Sequence, residues 1–317
     1  MPDSRSTANG PTDELGLIRW IRGQVPADPR IEIGPGDDCA VLKPPPGERI
    51  LVSTDMLIDG VHFRSEDVAP DRIGRKAVAR AVSDIAAMAG KPAAVVIAVA
   101  APKGTSPAFA KALFDGMKTA ADTVGAAVAG GDISTGAFPL MLTVTVVGFT
   151  SKGRCVPRSG AKPGDAVFVT GVLGGAMAGR HLEFTPRVAE ALWLADNASL
   201  HAMIDISDGL AADANHVAEE SGVGIELLES VVPIAEAARE AARSDGRTPL
   251  DHALHDGEDY ELLFAVSTQD AEKLAERTDA PVAFARIGKV IEGEGLWLIR
   301  AGGQRERIDP GGWVHEL

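Results

Sequence analysis

The sequence holds two cysteines, Cys39 and Cys155, in 317 residues. That is too few for a disulfide framework or a cysteine-built zinc site. The expectation is two reduced thiols in a cytoplasmic protein. Long apolar runs are also missing. No stretch reaches membrane-spanning length without Gly, Pro or charge breaking it. The opening "MPDSRSTANGPT" lacks the apolar run of a signal peptide, so residues 1–12 are expected to be a frayed tail. Basic residues are outnumbered, with 31 Lys and Arg against 45 Asp and Glu, a net charge of −14. Nonspecific nucleic-acid binding needs a basic surface, so that class is excluded, whereas divalent cations suit an acidic chain. Two phosphate-binding signatures are absent as well. Without GxxxxGK(S/T) the chain is not a P-loop protein, and without GxGxxG opening a helix a Rossmann site is unsupported.

What is present is a chain with 45% apolar and 24% charged residues, the balance of a globular protein with a sizeable core. Its length suggests two domains. Short apolar strands, "RILVSTDMLI", "AAVVIAVAA" and "PLMLTVTVVGFT", alternate with helical segments at 13–21, 71–90 and 107–124. A Gly-, Pro- and basic-rich segment, "SKGRCVPRSGAKPGD", follows, and the domain boundary is placed near its start at 151. Beyond it come strands at "AVFVTG", "AMIDIS", "GIELLE", "DYELLFAV" and "GLWLIR". Helices are expected from "GGAMAGRHL", from "LAADANHVAEES" and near 233–243 and 268–277. The alternation gives an α/β or α+β fold.

Aspartates recur at the ends of these apolar segments. Asp38 sits in "GPGDD", Asp55 in "VSTDML", Asp132 after "AVAGG", and Asp205 and Asp208 in "MIDISDGL". Asp84 lies beside Ile85 on the core-facing side of its helix. Singly, each has a bland reading: Asp208 as a helix cap, Asp132 as an Asx-turn. Together, with few basic partners nearby, converging carboxylates need a cation to offset their repulsion. Oxygen donors of this kind, with the hydroxyls of Ser53, Thr54 and Ser207, select Mg²⁺, which is usually shared with substrate phosphates. The pattern points to phosphoryl chemistry on a nucleotide. Two segments are candidates for the phosphates. One is "GVLGGAMAG", whose glycines either present N–H groups at a helix start or serve close packing. The other is the basic run with Arg154, Arg158 and Lys162.

Seven motifs in order, "GPGDDCAVL", "STDMLIDGVHF", "AVSDIAAMAG", "GGDIS", "RSGAKPGD", "IDISDGL" and "GEDYELLF", resemble the thiamine-monophosphate kinase family. That family lies in the superfamily of aminoimidazole ribonucleotide synthetase-like ATP-binding proteins. The resemblance runs from about residue 13 to the C-terminus. It implies an N-terminal α/β domain, 13–150, whose sheet dimerises, and a C-terminal α+β domain, 151–317. It implies transfer of the ATP γ-phosphate to thiamine monophosphate by a homodimer, with no nucleic acid or membrane involved. Several Mg²⁺ ions are implied on Asp38, Ser53, Thr54, Asp55, Asp84, Asp132, Asp205 and Asp208. ATP is implied on Gly131, Asp132, Arg158 and Ser207, and the thiamine phosphate on His62, Glu258 and Trp313. His62 also reads as a strand-end surface residue. Asp256 stands where the family usually has a small residue and adds negative charge near Glu258.

No general base is expected. A phosphate monoester with a second pKa near ~6 is already largely anionic, so positioning and charge neutralisation are the work left. The alternatives are a Mg²⁺-dependent phosphohydrolase, another ATP-using member of the superfamily, or a nucleotide-sensing protein without turnover.

Overall fold

The computed structural model describes residues 20, 21, 23–33 and 41–311. The tail at 1–12, most of the helix expected at 13–21, Asp38 and Trp313 lie outside the described residues. Among the described residues no helix is long and apolar enough to cross a membrane. The chain forms two compact units. The first takes the described residues up to 46 with 50–81 and 92–149; the second takes 47–49, 82–91 and 150 onward.

In the first unit, β1 (Ile31–Ile33) and β2 (Val41–Leu42) form a two-stranded antiparallel ladder. The main sheet contains β3 (Ile50–Ile58), β4 (Lys91–Pro102), β5 (Ala127–Gly136) and β6 (Met141–Phe149), in the order β3-β6-β4-β5. Its β3–β6 ladder is antiparallel and its β4–β5 ladder parallel. Alternation sorts the β3–β6 pair. Leu57, Leu142, Val144 and Val146 are buried on one face, while Ile50, Val52 and Met56 stand exposed on the other. Helix α1 (Pro70–Ala87) and helix α2 (Pro107–Thr123) belong largely to this unit. They meet through two glycines. A Cβ on Gly74 would lie 2.1 Å from the Leu113 carbonyl oxygen, and one on Gly116 only 1.9 Å from that of Asp71.

The second unit is built on β7 (Ala166–Thr170), β8 (Leu200–Asp205), β9 (Gly224–Leu228), β10 (Leu262–Val266), β11 (Phe284–Ile291), β12 (Gly295–Ile299) and β13 (Arg305–Arg307). Their order is β13-β12-β9-β11-β7-β10-β8, antiparallel except between β12 and β9. Both faces are covered. Val167, Val169, Leu263 and Ala265 join the core on the side of α4 (Leu210–Ser221) and α6 (Pro249–His255). Ala166, Phe168, Leu262 and Phe264 join the core on the side of α3 (Val188–Asn197) and α7 (Thr268–Ala275), where Phe168 stacks on Phe264 at 5.3 Å. This double coverage explains the unbroken apolar strands "AVFVT" and "LLFAV". Helix α5 (Glu236–Asp245) completes the unit.

The sequence reading differs from the structure in three places. "GGAMAGRHL" forms two short 3₁₀ turns at 176–178 and 180–182 rather than a helix, because Gly175 and Gly179 adopt positive φ. Strand β5 continues through Asp132 to Gly136 instead of ending before it. Strand β11, central in its sheet, the edge strand β13, and helices α3 and α6 were not expected.

Candidate active site

Strand alternation separates three neighbouring candidates on β3. Ser53 and Asp55 share the inner face with Leu57. Thr54 is on the opposite face, exposed, its hydroxyl 3.0 Å from that of Thr145. The Thr54 side chain is therefore not brought to Asp55. A basic partner does reach Asp55: Arg80 Nε lies 3.2 Å from its Oδ1. Arg80 belongs to a polar stripe on α1, where Lys76, Arg80 and Asp84 recur every fourth residue with Ser83 alongside. The rest of that helix face is buried Ala, Val and Ile.

His62 is a buried residue, which removes its reading as a surface strand end. The fully buried Lys76 donates its Nζ to the His62 carbonyl oxygen at 2.9 Å. The Ile58 N–H donates to His62 Nδ1 at 3.1 Å. With Nδ1 accepting, the neutral ring carries its proton on Nε2, a donor suited to an anionic oxygen. Asp132 is exposed on β5 beside Gly131. Gly131 has a structural reason to be glycine, since a Cβ there would lie 2.1 Å from the Ile97 carbonyl oxygen.

In the second unit Asp205 ends β8, buried, and accepts the Ser83 hydroxyl at 2.6 Å. This draws the turn of α1 that carries Asp84 toward Asp205. Ser207 and Asp208 follow in the turn before α4. The segment 257–261 runs alongside: Glu258 N–H donates to the Ser207 oxygen and Tyr260 N–H to the Ile206 oxygen, both at 2.7 Å. These bonds hold Glu258 and Tyr260 at φ 59° and 51°, a left-handed backbone that such residues rarely adopt. Glu258 Oε2 lies 3.4 Å from His181 Nδ1.

Asp208 does not cap α4; Gly209 is the cap residue and supplies no side-chain bond. Asp213, one turn inside the helix, was not picked out from the sequence. Its buried carboxyl accepts the N–H groups of Ser207 and Asp208, each at 3.0 Å. Burial first, then the charges of Asp205 and Asp208, pushes Asp213 well above the usual carboxylate range. Asp208, Asp213 and His216 each offer a ligand atom within 4.8 Å of the others.

The glycine loop resolves in favour of packing. Gly174 N–H donates to Asp259 Oδ2 at 2.8 Å, and Gly175 N–H to Asp256 Oδ2 at 3.0 Å. Protein carboxylates thus occupy donors that a phosphate would need. A Cβ on Gly174 or Gly175 would meet the backbone of α6 or α5 at 2.7 and 2.5 Å. Asp256 also accepts from Arg247 Nη1 at 2.7 Å and lies 2.9 Å from His252 Nδ1, so its extra charge is neutralised locally. In the basic segment, Lys152 and Arg154 turn to Asp196, at 2.6 and 3.5 Å. Arg158 is exposed and makes no ion pair among the described residues.

Two buried carboxylates beside Glu258 also escaped the sequence reading. Glu261 accepts Arg187 Nε and Nη2 at 2.8 and 2.7 Å, and the Thr170 hydroxyl at 2.7 Å. Asp259 is paired with Arg180. Burial pushes its carboxyl up to about 7, against the pull of Arg180 and the Gly174 N–H. A signal was present in the alternation Glu-Asp-Tyr-Glu between glycine and an apolar strand.

Residues 36–150 match the family "AIR synthase related protein, N-terminal domain", and residues 162–299 its C-terminal domain. A thiamine-monophosphate kinase of Rhodopirellula baltica is 41% identical over 309 residues, covering 95% of this chain and 97% of the relative. The crystal structure of thiamine-monophosphate kinase from Stenotrophomonas maltophilia K279a superposes with a TM-score of 0.78 at 33% identity, over 89% of this chain and 95% of that one. A structure described as AaThiL complexed with AMPPCP and TMP gives a TM-score of 0.75 at 31% identity, over 99% of this chain and all of that one (100%). The chain belongs to the thiamine-monophosphate kinase family of AIR synthase related proteins.

Proposed function

We propose that this chain phosphorylates thiamine monophosphate with ATP, giving thiamine diphosphate and ADP by direct in-line transfer. The observation that carries this reading is the set of carboxylates around the 205–208 turn. Asp208 and Asp213 offer carboxylate oxygens within 4.8 Å of each other, and burial first, then the charges of Asp205 and Asp208, raises Asp213. Of these, Asp205 and Asp208 are hard oxygen donors with Ser207 beside them, a set that fits Mg²⁺. We assign several Mg²⁺ ions to Asp38, Ser53, Asp55, Asp84, Asp132, Asp205 and Asp208, with Thr54 restricted to its backbone oxygen because its hydroxyl lies on the opposite face of β3. When bound, these ions neutralise charge on the transferring phosphoryl group.

The chain's own residues do the rest. Gly131, Asp132, Arg158 and Ser207 hold ATP. Arg158, free of carboxylate partners among the described residues, faces solvent as a guanidinium able to grip a phosphate bidentately. His62, fixed by Lys76 and the Ile58 N–H, offers an Nε2–H to the acceptor phosphate. Glu258, held by its strained backbone, meets the cationic thiazolium, and Trp313 stacks on the heterocycle. The acceptor oxygen attacks the γ-phosphorus as the bond to the β-bridging oxygen breaks, and ADP departs. No protein base takes a proton, because the attacking oxygen is already ionised.

Residues 13–150 form the N-terminal metal, ATP and dimerisation domain in this reading, and 151–317 the C-terminal domain. The homodimer joins through the exposed apolar face of β3, where Ile50, Val52 and Met56 alternate. The cytoplasm is the proposed compartment. ADP release from Mg·ATP tests the activity. It depends on added thiamine monophosphate if the reading is right. Phosphate release without an acceptor would instead mean a phosphohydrolase.

A further inference from the structure

We propose that Asp213 is a positioning residue for the nucleotide site, setting the 205–208 turn from inside α4. The inference rests on the proposed nucleotide role of that turn. A helix start leaves N–H groups without partners, and the residue before the first turn usually supplies an oxygen. Here the cap residue is Gly209, at φ 113°, and has none to give. Asp213 reaches back instead. A single oxygen, Oδ2, accepts both the Ser207 and the Asp208 N–H. Two adjacent peptide N–H groups are thereby aimed at one buried point. The carboxyl is 2% exposed, so water cannot replace it.

Other bonds frame the same turn. Ser83 fixes Asp205 on one side, and the Glu258 N–H fixes the Ser207 carbonyl on the other. Asp213 supplies the part that neither of these reaches, the amide side of the turn. A site of this kind loses affinity when its supporting group shifts by a fraction of an ångström, though nothing that touches ligand has changed.

The test uses direct binding of Mg·AMPPNP to the full chain, read by calorimetry, beside acceptor turnover. Asp213→Asn keeps an oxygen in place that can accept both amides. Asp213→Glu keeps the charge but displaces the oxygen. The account expects Asn to bind the analogue near the wild-type affinity and Glu to lose on the order of 10- to 100-fold, with the KM for thiamine monophosphate unmoved in both. Loss in Asn with retention in Glu overturns it, because charge rather than position would then matter. Equal affinity in all three proteins overturns it as well. Should Asp213→Glu not fold, Asp213→Asn decides alone: a folded Asn variant that fails to bind the analogue refutes the positioning role. Wild-type binding without transfer to thiamine monophosphate would defeat the kinase reading and leave this one standing.

Discussion

Arg80 Nε lies 3.2 Å from Asp55 Oδ1, both side chains about one-fifth exposed. In the absence of a divalent ion the guanidinium supplies the charge that Asp55 needs. Arg80→Leu removes it. The metal-free variant should then melt lower than wild type, and added Mg²⁺ should raise its Tm by more than it raises that of wild type. Thermal scans with and without Mg²⁺ check this. Equal shifts would remove Asp55 from the metal site.

Asp132 is exposed on β5, so its loss leaves no hole in the core. Asp132→Asn should keep the circular dichroism and Tm of wild type while turnover falls by about 100-fold or more, the scale for removing one charge-stabilising group. Retained turnover would cancel the role given to it.

Gly131 and Ile97 face each other across β4 and β5 with no room for a methyl group. Gly131→Ala should cost about 1–3 kcal/mol by denaturant titration, the usual range for overpacking. A neutral result would mean that the ladder opens at no cost.

Asp259 carries a pH signature. The folded carboxyl holds its proton up to about 7, the unfolded one only to near 3.8. Between those values the native state binds more protons, so this group's contribution to stability falls as pH rises. Arg180→Ala takes away the pairing cation and extends the penalty to higher pH. The variant should lose about 3 kcal/mol near neutral pH. Its deficit should be larger at about pH 8 than at about pH 5.5, where Asp259 is protonated. Urea titrations at the two values measure it.

The face of β3 gives a prediction about assembly. Ile50, Val52 and Met56 are 55%, 65% and 49% exposed. Val52→Asp places charge at its centre. Sedimentation should find wild type as a dimer and the variant as a monomer, and a monomeric wild type would refute the assignment.

Much of this was legible because the signals were local. The turn from β8 into α4 reads directly from "MIDISDGL", where an apolar run meets Asp-Gly and then a helical period. Strands β7 and β10 read as unbroken apolar runs because both faces are covered. What stayed hidden depends on chain folding back. Arg80 meets Asp55 from 25 positions away in sequence, and only its spacing from Lys76 and Asp84 hinted at a stripe. Asp213 went unnoticed because an acid in the first turn of "LAADANHVAEES" carries no local mark of burial. Strand β11 was missed because Arg286 and Lys289 interrupt its pattern and a register shift breaks the alternation between 286 and 288. Helix α6 has seven residues, too few to show a period. The glycines of 171–175 allowed both readings, with close packing the commoner one, and the partners of their N–H groups decided.

The most direct measurement is a phosphorus NMR time course of the purified chain with Mg·ATP and thiamine monophosphate, beside a control without the acceptor. The account predicts loss of the monoester resonance and growth of the paired thiamine diphosphate and ADP resonances, with ATP unchanged in the control. An unchanged monoester resonance, or inorganic phosphate growing in both samples, would contradict it.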